Sequence, residues 1–163
     1  MQKIIIDGYN VIHADPRLQK KIAGGGTERA REGLIARLRA YLEERDVRVT
    51  LVFDGRGGLT DAEPIIPGRL QVIYSASGQT ADEVIVETLH AAANPREFIV
   101  VTSDMADIGR SVRAIGAEVM LSPAFLERMK RAKPGEPDPE DAADPEVDVD
   151  YWLKQFGKGR SDE

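Results

Sequence analysis

The chain contains no cysteine and only two histidines, His13 and His90. Disulfides, thiolate catalysis and thiolate zinc sites are thereby excluded, and a histidine-rich metal centre lacks its ligands. Any metal site must use oxygen donors. No apolar run approaches the roughly 18–20 residues that cross a bilayer as a helix, and the N-terminus leads into a strand pattern rather than a signal peptide. A cytoplasmic chain without a membrane partner is the expectation. Several catalytic signatures are missing as well. There is no G-x-S-x-G elbow, no second aspartate two residues after Asp7 as a haloacid-dehalogenase-type phosphatase requires, and no adjacent acidic pair of the receiver-domain kind. Gly24-Gly25-Gly26 follows no strand and lacks phosphate-loop spacing, so it reads as a hinge.

The net charge of −6 over 163 residues would disfavour a polyanionic partner if it were evenly spread. It is not. Residues 1–133 hold 19 Lys+Arg and 18 Asp+Glu, whereas residues 134–163 hold 3 and 10. The acidity belongs to the tail, and the body is left mildly basic. Residues 134–150 carry four prolines and eight acids without a basic residue, the composition of an unfolded linker. The expected organisation is therefore one domain over 1–133, an acidic Pro-rich linker over 134–150 and a tail over 151–163 that contains the single tryptophan, Trp152. An acidic tail beside a neutral body also invites the reading that it folds back as a mimic of a polyanion.

Three apolar runs each finish on an aspartate: Ile4-Ile5-Ile6-Asp7, Val52-Phe53-Asp54 and Val100-Val101-Thr102-Ser103-Asp104. Continuous apolar runs of this length fit strands covered on both faces. Between them the pattern predicts a loop over residues 8–26, then a helix from a Thr27 cap to about Asp46 with Leu34, Ile35, Leu38, Tyr41 and Leu42 on its buried face. Arg29, Arg37 and Arg39 fall away from that stripe and read as a solvated face. Residues 47–53 make the second strand, 55–69 an irregular loop, and 70–74 a third strand. Thr80-Ala81-Asp82-Glu83 matches a capping box and opens a helix to about Ala93. A strand over 98–102, a helix over 105–115, a strand over 118–121 and a helix capped at Ser122-Pro123 follow. Strands alternating with helices imply a three-layer α/β/α sandwich with a mostly parallel sheet.

In such a sheet ligands bind beyond the carboxyl ends of the strands. Asp7, Asp54 and Asp104 all emerge there, and Asp82 starts a helix from the same edge. Each taken alone is ordinary turn or cap chemistry; four together repel one another unless a divalent cation neutralises them. Oxygen ligands favour Mg²⁺ or Mn²⁺, which would suit phosphodiester hydrolysis. Asn10 is placed to orient a water or a phosphate, or to form a turn. Thr80 and Ser103 either bond the ligands or cap helices. Arg110 and Arg113, with Arg128, Lys130, Arg131 and Lys133, are available to RNA phosphates but lack the interleaved aromatics of a binding module. Asp107 reads as helix surface rather than an extension of the site.

Asp7-Gly8-Tyr9-Asn10-Val11-Ile12, Val52-Phe53-Asp54-Gly55, Thr80-Ala81-Asp82-Glu83 and Thr102-Ser103-Asp104, in this order, resemble the NYN domains of the bacterial YacP-like branch, relatives of PIN-domain nucleases. The resemblance covers about residues 1–131. It implies a PIN-like fold, divalent-metal endoribonuclease activity and a link to mRNA cleavage on the ribosome. The family's acids map onto Asp7, Asp54, Asp82 and Asp104, and its amide onto Asn10. Asp7 and Asp104 are then expected as direct metal ligands, with Asp54 and Asp82 binding directly or through water. The alternative is a catalytically silent RNA- or ribosome-binding protein of the same fold.

Overall fold

The computed structural model describes residues 2–43, 45–55 and 61–130. The expected linker over 134–150 and the tail over 151–163 lie outside them. Strand β1 spans Gln2–Asp7 and is followed by helices α1 (Gly8–Ala14), α2 (Pro16–Gly25) and α3 (Thr27–Leu42). Then come β2 (Val47–Phe53), β3 (Asp61–Ile66), β4 (Leu70–Tyr74) and α4 (Ala81–Ala91). A 3₁₀ turn at Pro95–Glu97 leads into β5 (Phe98–Val101), and a π-helical turn at Met105–Gly109 leads into α5 (Arg110–Ile115). Strand β6 (Glu118–Met120) and α6 (Ser122–Lys130) complete the described body.

The six strands lie in the order β3-β4-β2-β1-β5-β6, parallel throughout except for the edge strand β3, which runs antiparallel to β4. Helices cover both faces, as the alternation of elements implies. The alternating directions of strand side chains explain why three consecutive isoleucines are all buried. Ile4 and Ile6 pack with Leu34, Leu38, Phe53 and Phe125 on one face. Ile5 joins Val52, Val84, Ile85, Val100 and Val112 on the other. From β1 the chain moves outward to β2 and β4, then crosses back to β5 and β6 on the opposite side. The strand order therefore reverses between β1 and β5, where Ile6 pairs with Val101. Beyond that pair lies the crevice at which open parallel sheets bind ligands.

Two expected loops are not loops. Residues 8–25 form α1 and α2, because Asp7 caps the first helix by accepting the Asn10 N–H, and Asp15 caps the second by accepting the Arg17 N–H with Pro16 at its first position. Buried Val11, Ile12 and Leu18 tie both helices to the core. Thr27 is consequently not a cap: Gly26, at φ 87°, joins α2 to α3, and α3 stops at Leu42 rather than Asp46. Within the expected loop 55–69, residues 61–66 pair as β3. Pro64 is tolerated there because the strand is at the sheet edge, and the register shifts between Pro64 and Ile66. Among the described residues no helix is long and apolar enough to cross a membrane.

Gly8 shows how tightly the start of α1 is seated. A Cβ at this position would lie 2.3 Å from the Phe53 ring, whereas one at Gly24 would meet nothing within 4 Å. Gly8→Ala is therefore expected to lose about 1–3 kcal/mol through overpacking. Gly24→Ala, in α2, should be unchanged or gain up to about 1 kcal/mol. Urea midpoints at constant m-value measure both; equal stabilities for the two variants would contradict this packing.

Candidate active site

Each acidic residue is held by its own local geometry. Asp7 ends β1, and its Oδ1 accepts the Asn10 N–H at 3.4 Å. Asp54 follows β2, and its Oδ1 accepts the N–H of Ala81, the first residue of α4, at 2.8 Å. This bond crosses from one loop to another and fixes the start of α4, and hence Asp82, beside Asp54. The loop is clamped further by Ser75, which is buried and whose Oγ accepts the Gly55 N–H at 2.8 Å. Gly55 admits no side chain, since a Cβ would lie 1.7 Å from the Ser75 carbonyl oxygen. Thr80 and Glu83 form the expected capping box, with both the hydroxyl and the N–H of Thr80 engaged by Glu83.

At the end of β5 the Asp104 N–H donates to Oγ1 of buried Thr102 at 3.1 Å, and Asp104 Oδ1 accepts the Asp107 N–H at 3.2 Å. Asn10 bridges this loop to the first one. Its Oδ1 accepts the Ser103 N–H at 2.6 Å and the hydroxyl of Ser122 at 3.1 Å. A backbone N–H can only donate, so these contacts fix the amide orientation and leave the Asn10 nitrogen as its free end. Ser122, expected as a helix cap, is the first residue of α6 and is fully buried, with its hydroxyl bonded to Asn10. No spacing rule could pair residues 112 positions apart.

Asp7, Asp54, Asp82 and Asp104 are close enough to perturb one another. The Asp7 carboxyl is pushed up from 3.8 to about 6, first by burial and then by the charges of Asp82, Asp54 and Asp104, against the lowering effect of the Asn10 N–H. Asp82 is raised too, by burial first and then by Asp104, Asp54, Asp107 and Glu83. Asp107 is exposed, as expected for helix surface, yet it adds to this field. It also lines a cleft of about 470 Å³ with Asp82, Glu83, Glu87 and Ser111. Arg110 and Arg113 are exposed on α5 and take no part in the hydrogen bonds just described. His13 shares the side-chain nitrogen of Gln19 and stands on the surface.

The donor set is all carboxylate oxygen, which suits a hard divalent cation. Among the described residues, however, no three such side chains already close around a single point. Separate hydrogen bonds hold Asp7, Asp54 and Asp104 on their own loops, and mutual repulsion opposes closer approach.

A family model for the YacP-like NYN domain matches residues 4–144. The chain belongs to this family. The match runs into the acidic segment beyond residue 133. YacP of Bacillus subtilis (strain 168) is 31% identical over 143 residues, which cover 80% of this chain and 82% of that protein. The crystal structure of Rae1 (YacP) from Bacillus subtilis superimposes with a TM-score of 0.66 at 27% identity, covering 97% of this chain and 86% of that one. A tryptophan-to-leucine variant of the same protein gives a TM-score of 0.64 at 23% identity, covering 99% and 86%, and speaks to the fold alone. This NYN chain thus has the PIN-like, nuclease-type fold that its motifs resemble.

The raised Asp7 has a measurable consequence. With a folded pKa near 6 and a reference value of 3.8, the native state binds the extra proton between these values, so stability falls as pH rises from about 4 to 6. Asp7→Asn keeps the acceptor for Asn10 and removes the charge. In metal-free buffer at about pH 7.5 it is expected to raise Tm by about 2–8 °C, with the gain gone by about pH 4. Thermal scans across pH test this; a variant less stable than wild type at neutral pH would contradict it.

Proposed function

We propose that the chain is a divalent-metal-dependent endoribonuclease that hydrolyses phosphodiester bonds in single-stranded RNA, including mRNA on the ribosome. The observation that carries this reading is the convergence of four mutually repelling carboxylates on the sheet's switch point, in a family with a nuclease-type fold. A module that only bound RNA would gain nothing from presenting four acids to a polyanion.

Asp7 and Asp104 are the direct ligands in this reading, with Asp54 and Asp82 holding Mg²⁺ or Mn²⁺ directly or through water. Such an ion, when bound, lowers the pKa of a water and offsets charge on the phosphoryl oxygens. The protein's own groups set the geometry. β1 ends on Asp7, the loop that follows the adjacent β5 carries Asp104, and Asp54 fixes the start of α4, and with it Asp82, through the Ala81 N–H. Asn10 spends its oxygen on Ser103 and Ser122, and its nitrogen is the end that addresses a phosphate oxygen. Attack of water on phosphorus with the 3′-oxygen leaving yields a 5′-phosphate and a 3′-hydroxyl.

Purified protein with Mn²⁺ is expected to cut labelled single-stranded RNA, free or ribosome-bound. Asp7→Asn and Asp104→Asn should each lower the rate by about 10²–10³, the size of effect that loss of several kcal/mol of charge stabilisation produces. Equal cutting by wild type and both variants would show the site assignment to be wrong. RNA binding without cleavage of either substrate would favour a silent RNA- or ribosome-binding protein.

A further inference from the structure

One cation sits where a cation is hard to keep. Arg31 lies on the apolar stripe of α3, in line with Leu34 and Leu38, and is only 6% exposed. Its guanidinium donates from Nη1 to the Tyr9 hydroxyl at 2.8 Å and stands 5.7 Å and 5.9 Å from the ring centroids of Phe53 and Tyr74. The rings form one cluster, Tyr9 on Phe53 at 4.8 Å and Phe53 on Tyr74 at 6.0 Å.

This environment satisfies Arg31 incompletely. A guanidinium has five N–H donors, and one neutral hydroxyl takes one of them. Ring faces attract the charge but offset only part of the desolvation of a buried ion. Arg37, two turns further along α3, is answered by the carboxylate of Asp15, and Lys3 by Glu97. No carboxylate of the described residues answers Arg31. Its other nitrogens keep contact with solvent, because the only fully buried side-chain nitrogen or oxygen without a partner among the described residues is Nη1 of Arg128. The site is thus a shielded cation with open donors, which is the condition for taking an anion from solution.

Its position says which anion. Tyr9 is two residues beyond Asp7, Phe53 immediately precedes Asp54, and Tyr74 pairs with Phe53 at the end of β4. Arg31 therefore lies at the carboxyl edge of the sheet, on the α3 side of the acidic cluster. We propose that Arg31, framed by Tyr9, Phe53 and Tyr74, is a subsite for an RNA phosphodiester flanking the one that is cut. The proposal rests on the nuclease reading above and adds a residue that sets the path of the strand. Binding a flanking phosphate acts on affinity and register rather than on the chemical step.

The test uses a short fluorescein-labelled single-stranded RNA in EDTA, so that binding is read without cleavage. Arg31→Gln is expected to weaken affinity about tenfold and to lower the slope of log affinity against log salt by about 0.7, the value for one phosphate contact on a single strand. Arg31→Lys should keep the slope while losing part of the affinity. In the Mn²⁺ assay Arg31→Gln should raise KM about tenfold with kcat within about twofold. Unchanged affinity and slope in an Arg31→Gln protein with the wild-type Tm would overturn the subsite. Where Arg31→Gln does not fold, the wild-type Arg31 Nε–Hε resonance, assigned by its loss in Arg31→Lys, decides. It should shift on addition of the same RNA, and a resonance that stays still while others move overturns the proposal. If wild type binds and cuts RNA and Arg31→Gln matches it, the subsite alone falls; if wild type neither binds nor cuts RNA, free or ribosome-bound, both readings fall.

Discussion

The repulsion among Asp7, Asp54, Asp82 and Asp104 is the constraint on which the rest of the structure turns. Burial of Asp7 opposes its ionisation most, and the charges of Asp82, Asp54 and Asp104 add to that cost. The fold opposes that repulsion with rigid attachments. β1, between β2 and β5, places Asp7 at the reversal in strand order, and the Ala81 N–H holds Asp54 against α4. Asn10 then joins the β1, β5 and α6 ends through a single carbonyl oxygen. Each attachment costs little by itself, since it satisfies a backbone donor that needs a partner anyway.

The same attachments separate two duties that the residue types leave merged. Asp104 caps the π-helical turn and Asp54 holds the first N–H of α4 from a separate loop, each using one oxygen on a backbone N–H. Asn10 is an organiser through its oxygen and a candidate substrate contact through its nitrogen. A side chain that holds a backbone N–H through one carboxylate oxygen keeps the other for a further partner.

Much of this was legible in the chain. Apolar runs ending on aspartate located β1, β2 and β5, and the alternation of elements located their carboxyl ends on one edge. The Thr80–Glu83 capping box appeared as its spacing required. The misses have physical causes. Gly8-Tyr9-Asn10 has turn composition, and seven residues of α1 are too few to display a period, so the Asp7 and Asp15 caps went unrecognised. β3 hid behind Pro64 and flanking glycines, which only an edge strand accepts. Ser122 reaches Asn10 through tertiary packing, beyond any local rule. Arg31 did leave a trace, a cation on the apolar stripe of α3, and of the three arginines read as its solvated face only Arg29 and Arg39 are exposed, Arg37 being paired with Asp15.

Burial first, and then the neighbouring carboxylates, raise Asp7, and a divalent cation bound among them would lower it again. Carbon-detected NMR titration of the aspartate carboxyl groups, without and with saturating Mg²⁺, measures this directly. Asp7 is expected to titrate near 6 in metal-free protein and clearly lower once Mg²⁺ is present. An Asp7 that titrates near 4 in both conditions would contradict it.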